Sequence, residues 1–477
     1  MSRFVTVASL ETDDILAEIF REFVFWADDD ILHCGDGPWV LSHVCRSWRK
    51  ITLTHPEVWS TIHLEDPDFD SLGVINARWD DADDDLEDTS QRLFDLLNLA
   101  LARSQNVPLN VKLNVSSTDD ESGLSVRLIR AVVAHSNRWK SADLTITTDN
   151  LPLFAPIRNR LSLLTELTLG STTLGVFAQP FPFTNNAPRL ERVDLNGFHH
   201  RITSLPWRSI RHFSEMHIFR SPPSATESYL NLLRTNPELE SVELTYSSRA
   251  SSPQSSVTHR SLRRLVTSEP DILRHLNLPK LEELVVSEPK DGTFAAIASL
   301  LQRSRCSLRS LHLAGFALVD KEALAIFGSC NQSLRELTLV STGYDEHVKT
   351  ILELLMRKLH DTSFLSSLEV LKIIISRDYD EMRPMKKPYA ISFIDDTFVD
   401  MVVARWDRRL TANSGPHLKR VFVLVELPST VGLSKSRGVE HLRRMGDEGL
   451  DVFVRARDPR GLDFEQDAKD ISYVYDV

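Results

Sequence analysis

The sequence predicts an α/β protein in which a short N-terminal helical segment precedes an irregular solenoid of strands and helices. Three observations predict it. One short unit, apolar-x-x-apolar-x-apolar, recurs along most of the chain. Helical periodicity lies between several copies of that unit. Ahead of them, three short aromatic-rich patterns crowd into residues 8–65.

At 477 residues the chain is too long for one ordinary core, so several domains or one elongated array are expected. The boundaries expected are a helical domain at 8–65, an acidic linker at 66–90, a solenoid at 91–450 and a tail at 451–477. Hydrophobic residues make up 42% and charged residues 26%, as in a folded chain. The net charge of -12 argues against nucleic acid as the main partner, because phosphate binding needs concentrated positive charge. Cys34, Cys45, Cys306 and Cys330 form no CxxC pair and no close Cys/His cluster, so no metal site is expected. So few cysteines fit a reducing compartment. The N-terminus does not read as a signal peptide, and no window holds the ~18 apolar residues of a membrane span. A cytoplasmic or nuclear protein without a membrane partner is expected.

In the N-terminal region, Ile15, Leu16, Ile19, Phe20 and Phe23 recur at helical spacing, with Thr12 and Asp13 placed to cap them. Pro38 suits the first turn of a second helix carrying Val40, Leu41, Val44, Cys45 and Trp48 on one face. Arg46, Arg49 and Lys50 fall toward its C-terminal end, which the helix dipole favours. The third piece is His55-Pro56-Glu57-Val58-Trp59. Helices this short must pack on one another or on a partner. The tryptophans Trp39, Trp48 and Trp59 suit a binding surface, and equally a cap that closes the solenoid's end.

The strings ILAEIF at 15–20, PWVLSHVCRSWRKI at 38–51 and HPEVWSTI at 55–62 together resemble the F-box. They resemble in particular the F-box-like proteins numerous in mushroom-forming fungi. The resemblance implies docking onto the Skp-family adaptor and, through it, a cullin. It implies that Ile15, Leu16, Ile19, Phe20, Val40, Leu41 and Val44 form the adaptor-facing surface or its support, with Trp48 and Trp59 as internal packing. The chain departs from the family pattern after Leu10, where Glu11-Thr12-Asp13-Asp14 stands in place of the usual proline and acidic residue. Residues 26–37 are also longer than a tight F-box turn.

Residues 80–88, a block of like charge, are expected to be a solvated loop. Beyond them the repeat reads LLTELTLG at 163–170, RLERVDLNG at 189–197, ELESVELT at 238–245 and KLEELVVS at 280–287. It continues as SLRSLHLAG at 307–315, SLRELTLV at 333–340, SLEVLKII at 367–374 and HLKRVFVL at 417–424. Weaker copies begin at Trp139, Phe213 and Leu262. From 139 to 334 the mean step is about 24 residues, inside the leucine-rich-repeat range. The last two steps are longer and carry insertions, one at 379–389. Helical patterns at 224–236, 294–304 and 321–329 complete strand–helix units of the kind that stack into solenoids. The serine-rich stretch 246–256 reads as a loop.

Strand side chains alternate, so the fourth and sixth positions of each unit face the core and the third, fifth and seventh face outward. The outward series begins polar with Glu166, Arg192, Asp194, Glu215 and His217. It is mixed at Ser241, Glu243, Arg264, Val266, Glu283 and Val285, and turns apolar in the late copies, at Val340, then Val370, Lys372 and Ile374, then Arg420, Phe422 and Leu424. Since F-box proteins with such arrays generally hold substrates on this wall, Arg192, Glu243, Arg264, Val370, Ile374 and Phe422 are the candidate substrate contacts. Residues 375–400 or the tail from Asp451 are the candidates to cover it.

No phosphate-binding glycine loop, HExxH or GxSxG motif occurs. His199 and His200 are adjacent, and adjacent strand residues face opposite ways, so they are not expected to share a metal. No catalytic residue and no cofactor is expected. The function expected is the substrate-recognition subunit of a Skp–cullin–F-box ubiquitin ligase, with an unknown protein substrate. The alternative is a repeat scaffold whose helical segment is only a cap.

Overall fold

The computed structural model describes residues 3–27, 29–66, 82–115, 123–147, 149–171, 187–200, 205–217, 225–246, 256–287, 292–314, 326–341, 346–375, 393–406, 417–426 and 437–457. They fall into two compact units, Met1–Arg220 and Ser221–Val477. The insertion at 379–389 and nearly all of the serine-rich stretch lie outside the described residues.

The first unit opens with α1 (Arg3–Ala27), α2 (Gly37–Val44), α3 (Arg46–Thr54) and a 3-10 turn (Pro56–Trp59). Then come β1 (Thr61–Glu65), α4 (Ala82–Arg103), β2 (Leu109–Asn114), α5 (Leu124–Ala134) and β3 (Trp139–Thr145). A 3-10 segment (Leu151–Ile157) and the strands β4 (Glu166–Gly170), β5 (Arg192–Asn196) and β6 (His212–Met216) complete it. Each strand pairs in parallel with the next. The core lies under the fourth and sixth unit positions, as the alternation rule predicts: Ala142 and Leu144, Leu167 and Leu169, and Val193 and Leu195 are all buried. Leu164, Leu190 and Ile210 supply the first position and are buried as well.

Three expectations change here. The strand ladder begins at Thr61, inside the segment assigned to the helical domain, because Trp59, Ile62 and Leu64 form a copy of the repeat unit and are buried. The acidic stretch is not a loop from Ala82 onward but the start of α4. The buried stripe Leu93, Leu97 and Ala100 anchors the helix. The copy placed at Phe213 in fact starts at Ile210, which moves Glu215 to a core position, where it is fully buried.

The second unit runs α6 (Ala225–Thr235), β7 (Ser241–Thr245), β8 (Val257–Thr258), β9 (Arg264–Thr267), a 3-10 segment (Pro270–His275), β10 (Leu276–Asn277) and β11 (Glu283–Val286). It continues with α7 (Thr293–Ser304), β12 (Ser310–Ala314), β13 (Glu336–Ser341), α8 (Glu346–His360) and β14 (Val370–Ile375). The last elements are α9 (Asp396–Trp406), β15 (Arg420–Glu426), α10 (Arg437–Asp447) and β16 (Asp451–Arg457). The strands pair in parallel in the order β7-β9-β11-β12-β13-β14-β15-β16, and β8 pairs separately with β10. Helices cross between the later strands and bury Leu352, Met356 and Leu359 from α8, Phe398 and Val402 from α9, and Leu442 and Met445 from α10. Such strand–helix alternation over a parallel sheet is a repeat array.

Residues 451–457 are therefore not a tail but the strand β16, in register with β15 from Arg420–Asp451 to Glu426–Arg457. Register places Gly449 where the other copies carry their first apolar residue, and that hides the unit. Arg405 of α9 ties this region together. Its buried guanidinium donates to the carbonyls of Leu359 (2.5 Å), Asp361 (3.0 Å), Phe364 and Leu365 (3.0 Å), satisfying groups at and beyond the C-terminal end of α8. Among the described residues, no helix is long and apolar enough to cross a membrane.

Candidate functional site

The helical region is built from two opposed faces. In α1 no proline or glycine interrupts the chain, so the helix runs through the expected cap at Thr12 and Asp13 back to Arg3. Ala17, Phe20 and Val24 are buried, whereas Ile15, Ile19 and Phe23, four residues apart, are 60%, 54% and 47% exposed. Phe20 lies 4.7 Å from the Trp48 ring and Trp39 lies 4.8 Å from Trp59. Both buried indoles are satisfied: Trp39 Nε1 donates to Ile31 O at 2.8 Å and Trp59 Nε1 to Thr52 O at 2.7 Å. The Arg103 guanidinium sits over the Trp59 ring at 4.5 Å.

The expected single second helix is two. Cys45, with extended backbone, ends α2 and starts α3, its Sγ accepting from Trp48 N at 3.4 Å. That break turns Val44 outward, 57% exposed, while Leu41 is buried and Val40 and Leu16 are half-buried. Of the expected adaptor residues, Ile15, Ile19 and Val44 are thus surface, Phe20 and Leu41 are support, and Leu16 and Val40 lie between. Among the described residues nine large apolar side chains are exposed, and seven of them (Ile15, Ile19, Phe23, Phe25, Trp26, Val44 and Leu53) belong to α1–α3.

The outward wall of the second unit is more covered than expected. Arg264 bridges Glu243 (3.5 Å) and Glu283 (3.0 Å) across β7, β9 and β11. Lys372 pairs with Glu336 at 2.6 Å, and Arg420 with Asp451 at 2.5 Å. Phe422 stacks on Phe453 at 4.5 Å, and Val370 and Ile374 are half-buried. Val266, Val285 and Leu424 are buried, so the expected continuous exposed strip is interrupted; in β9 and β11 side chains on both faces are covered. Arg192, in the first unit, is exposed.

A second cluster was hidden by the assumed register and by the strand rule applied to His199 and His200. These two residues follow β5 outside any strand, and their rings stack at 4.3 Å. Glu215 Oε2 accepts from His200 N (3.1 Å) and lies 2.7 Å from His200 Nδ1; its Oε1 lies 2.7 Å from His217 Nε2. Burial pushes the Glu215 carboxyl up, but hydrogen bonds from His200 and His217 outweigh it and hold the group at about 2. Ligand atoms of His199, Glu215 and His217 all lie within 4.8 Å of one another. The sequence signal was available: a carboxylate at the sixth position of a unit, where other copies carry leucine.

No family model matches the chain, and no curated protein matches it. Among solved structures, the crystal structure of a TLR13–ssRNA13 complex matches at 16% identity over 70% of this chain, with a TM-score of 0.29. The match spans 38% of that chain. A likeness this low bears on neither fold nor function.

Proposed function

We propose that this chain is the substrate-recognition subunit of a Skp–cullin–F-box ubiquitin ligase, acting in the cytoplasm or nucleus. The α1–α3 region takes the F-box role and binds a Skp-family adaptor; the leucine-rich-repeat-like array holds a protein substrate. The observation that carries the reading is the set of outward apolar side chains Ile15, Ile19, Phe23 and Val44, with Phe20 and Leu41 buried and Trp48 half-buried beneath. Each large side chain buried at such a contact contributes about 1.5–3 kcal/mol. No chemistry is required of the chain, because holding a substrate near a charged ubiquitin carrier raises its effective concentration.

One observation favours the scaffold reading. Ile31 N donates to His63 O at 2.9 Å and Glu65 N to Asp30 Oδ2 at 3.2 Å, so the segment after α1 is bonded along β1 and caps the ladder. Capping uses the buried face and docking the exposed one. The test is capture of a purified Skp-family adaptor by the full chain and by the Ile15→Asp/Ile19→Asp variant. Capture by the parent, lost in a variant of equal helicity, supports the ligase role. A folded parent that captures no adaptor leaves the scaffold.

A further inference from the structure

We infer that His199, Glu215 and His217 form a binding site for one divalent transition-metal ion of the zinc class. The inference is independent of adaptor binding.

The first argument is charge. Glu215 is fully buried. Buried carboxylate charge is strongly unfavourable unless it is paired or held on a metal. A divalent ion at Oε1 compensates it directly.

The second argument is the donor set. Two imidazoles and one carboxylate suit zinc and its neighbours in the first transition row, whereas calcium and magnesium demand more oxygen ligands. Zinc lies about 2.0–2.2 Å from such donors, so donor–donor separations fall at roughly 3–4 Å. The three donors, within 4.8 Å of one another, need to close by little more than about 1 Å. A 2.7 Å contact from His217 Nε2 to Glu215 Oε1 already brings two of them together. An ion placed there displaces the proton that this contact shares.

The third argument is the support. Both hydrogen bonds from His200 go to Oε2, the oxygen away from His217. They fix the carboxylate with Oε1 on the His217 side, which is how supporting residues orient a metal ligand. His200 is therefore a positioning residue. The ion would staple the segment after β5 to β6, joining neighbouring copies of the repeat.

The test uses the full chain, stripped with chelator and titrated with zinc chloride against a chromophoric competitor at pH 7.5. Mg2+ and Ca2+ serve as controls. One zinc per chain is expected, bound at least tenfold more weakly by His199→Gln and by His217→Gln. His200→Gln should weaken it by roughly 10–100-fold, the usual effect of losing a supporting contact. X-ray absorption at the zinc edge should show nitrogen and oxygen neighbours and no sulfur, separating this site from the four cysteines. A folded parent that binds no zinc overturns the proposal. So does zinc binding that both histidine variants retain unchanged, or a sulfur-ligated ion.

Discussion

Ile19 and Phe20 are consecutive on α1, yet Ile19 is 54% exposed and Phe20 only 2%. One helix therefore carries a packing face and an open apolar face, and substitutions should separate them. Ile19→Asp is expected to change stability by no more than about 0.5 kcal/mol, as surface changes usually do. Phe20→Ala removes a ring packed on Trp48 and should cost about 3–5 kcal/mol. Urea unfolding of the two variants measures this split. Equal losses would mean that Ile19 is also packed, and would remove the ground for an open docking face.

The same reasoning changes which double variant tests adaptor binding. Leu41 is buried, so Leu41→Asp is expected to unfold the helical region and lose binding for a trivial reason. Ile15→Asp/Ile19→Asp should leave circular dichroism and the thermal midpoint unchanged.

Arg405 is a structural cation. Burial pulls its guanidinium down to about 10, yet it remains charged at neutral pH and donates four of its five N–H groups to four carbonyls. Arg405→Met strands those carbonyls and should destabilise the second unit by about 2–4 kcal/mol. Lysine should not rescue it, because a single ammonium cannot reproduce the planar fork. Hydrogen exchange at α8 amides reads the effect, and protection within error of the parent would refute the role.

The repeat was legible wherever apolar residues fill all three core positions, as at Leu334, Leu337 and Leu339, all of them buried. It was illegible where another demand occupies one position. In β2 a register shift puts Leu109 opposite Trp139, one residue closer to Val111 than the unit requires, and in β16 Gly449 stands at the first position. Trp59 belongs both to the Pro-x-x-Trp motif of the helical region and to the first copy of the unit, and one reading concealed the other. At Glu215 a charged residue in the core position displaced the whole assigned register. The apolar stripe of α1 was visible in sequence, but its division into buried Phe20 and exposed Ile15 and Ile19 depends on where α3 lies.

Acid should act through Glu215 in the metal-free chain. Its folded value, about 2, lies below the ordinary 4.5. A depressed carboxyl stabilises the fold above the unfolded value and loses that contribution as pH falls through the folded one. The window is therefore about pH 4.5 down to 2, and the contribution is on the order of 3 kcal/mol. His199, His200 and His217 face it. Hydrogen exchange at β5 and β6, followed through that window, should show a loss of protection that Glu215→Gln abolishes. A parent and variant with the same acid profile would show that Glu215 does not govern it.

The final strand offers a test of where the array ends. Removing residues after Leu450 deletes β16, leaves Phe422 without the Phe453 ring at 4.5 Å and leaves Arg420 without Asp451. It also opens the hydrogen-bonding edge of β15, whose Val421, Val423 and Val425 are fully buried. An unpaired apolar edge is a template for another chain. The chain truncated after Leu450 should be about 2 kcal/mol or more less stable than the chain truncated after Arg457, which keeps β16, and should self-associate more. Urea midpoints and light scattering of the two truncations decide it. If both are monomeric and equally stable, β16 adds nothing to the fold and the array ends at β15.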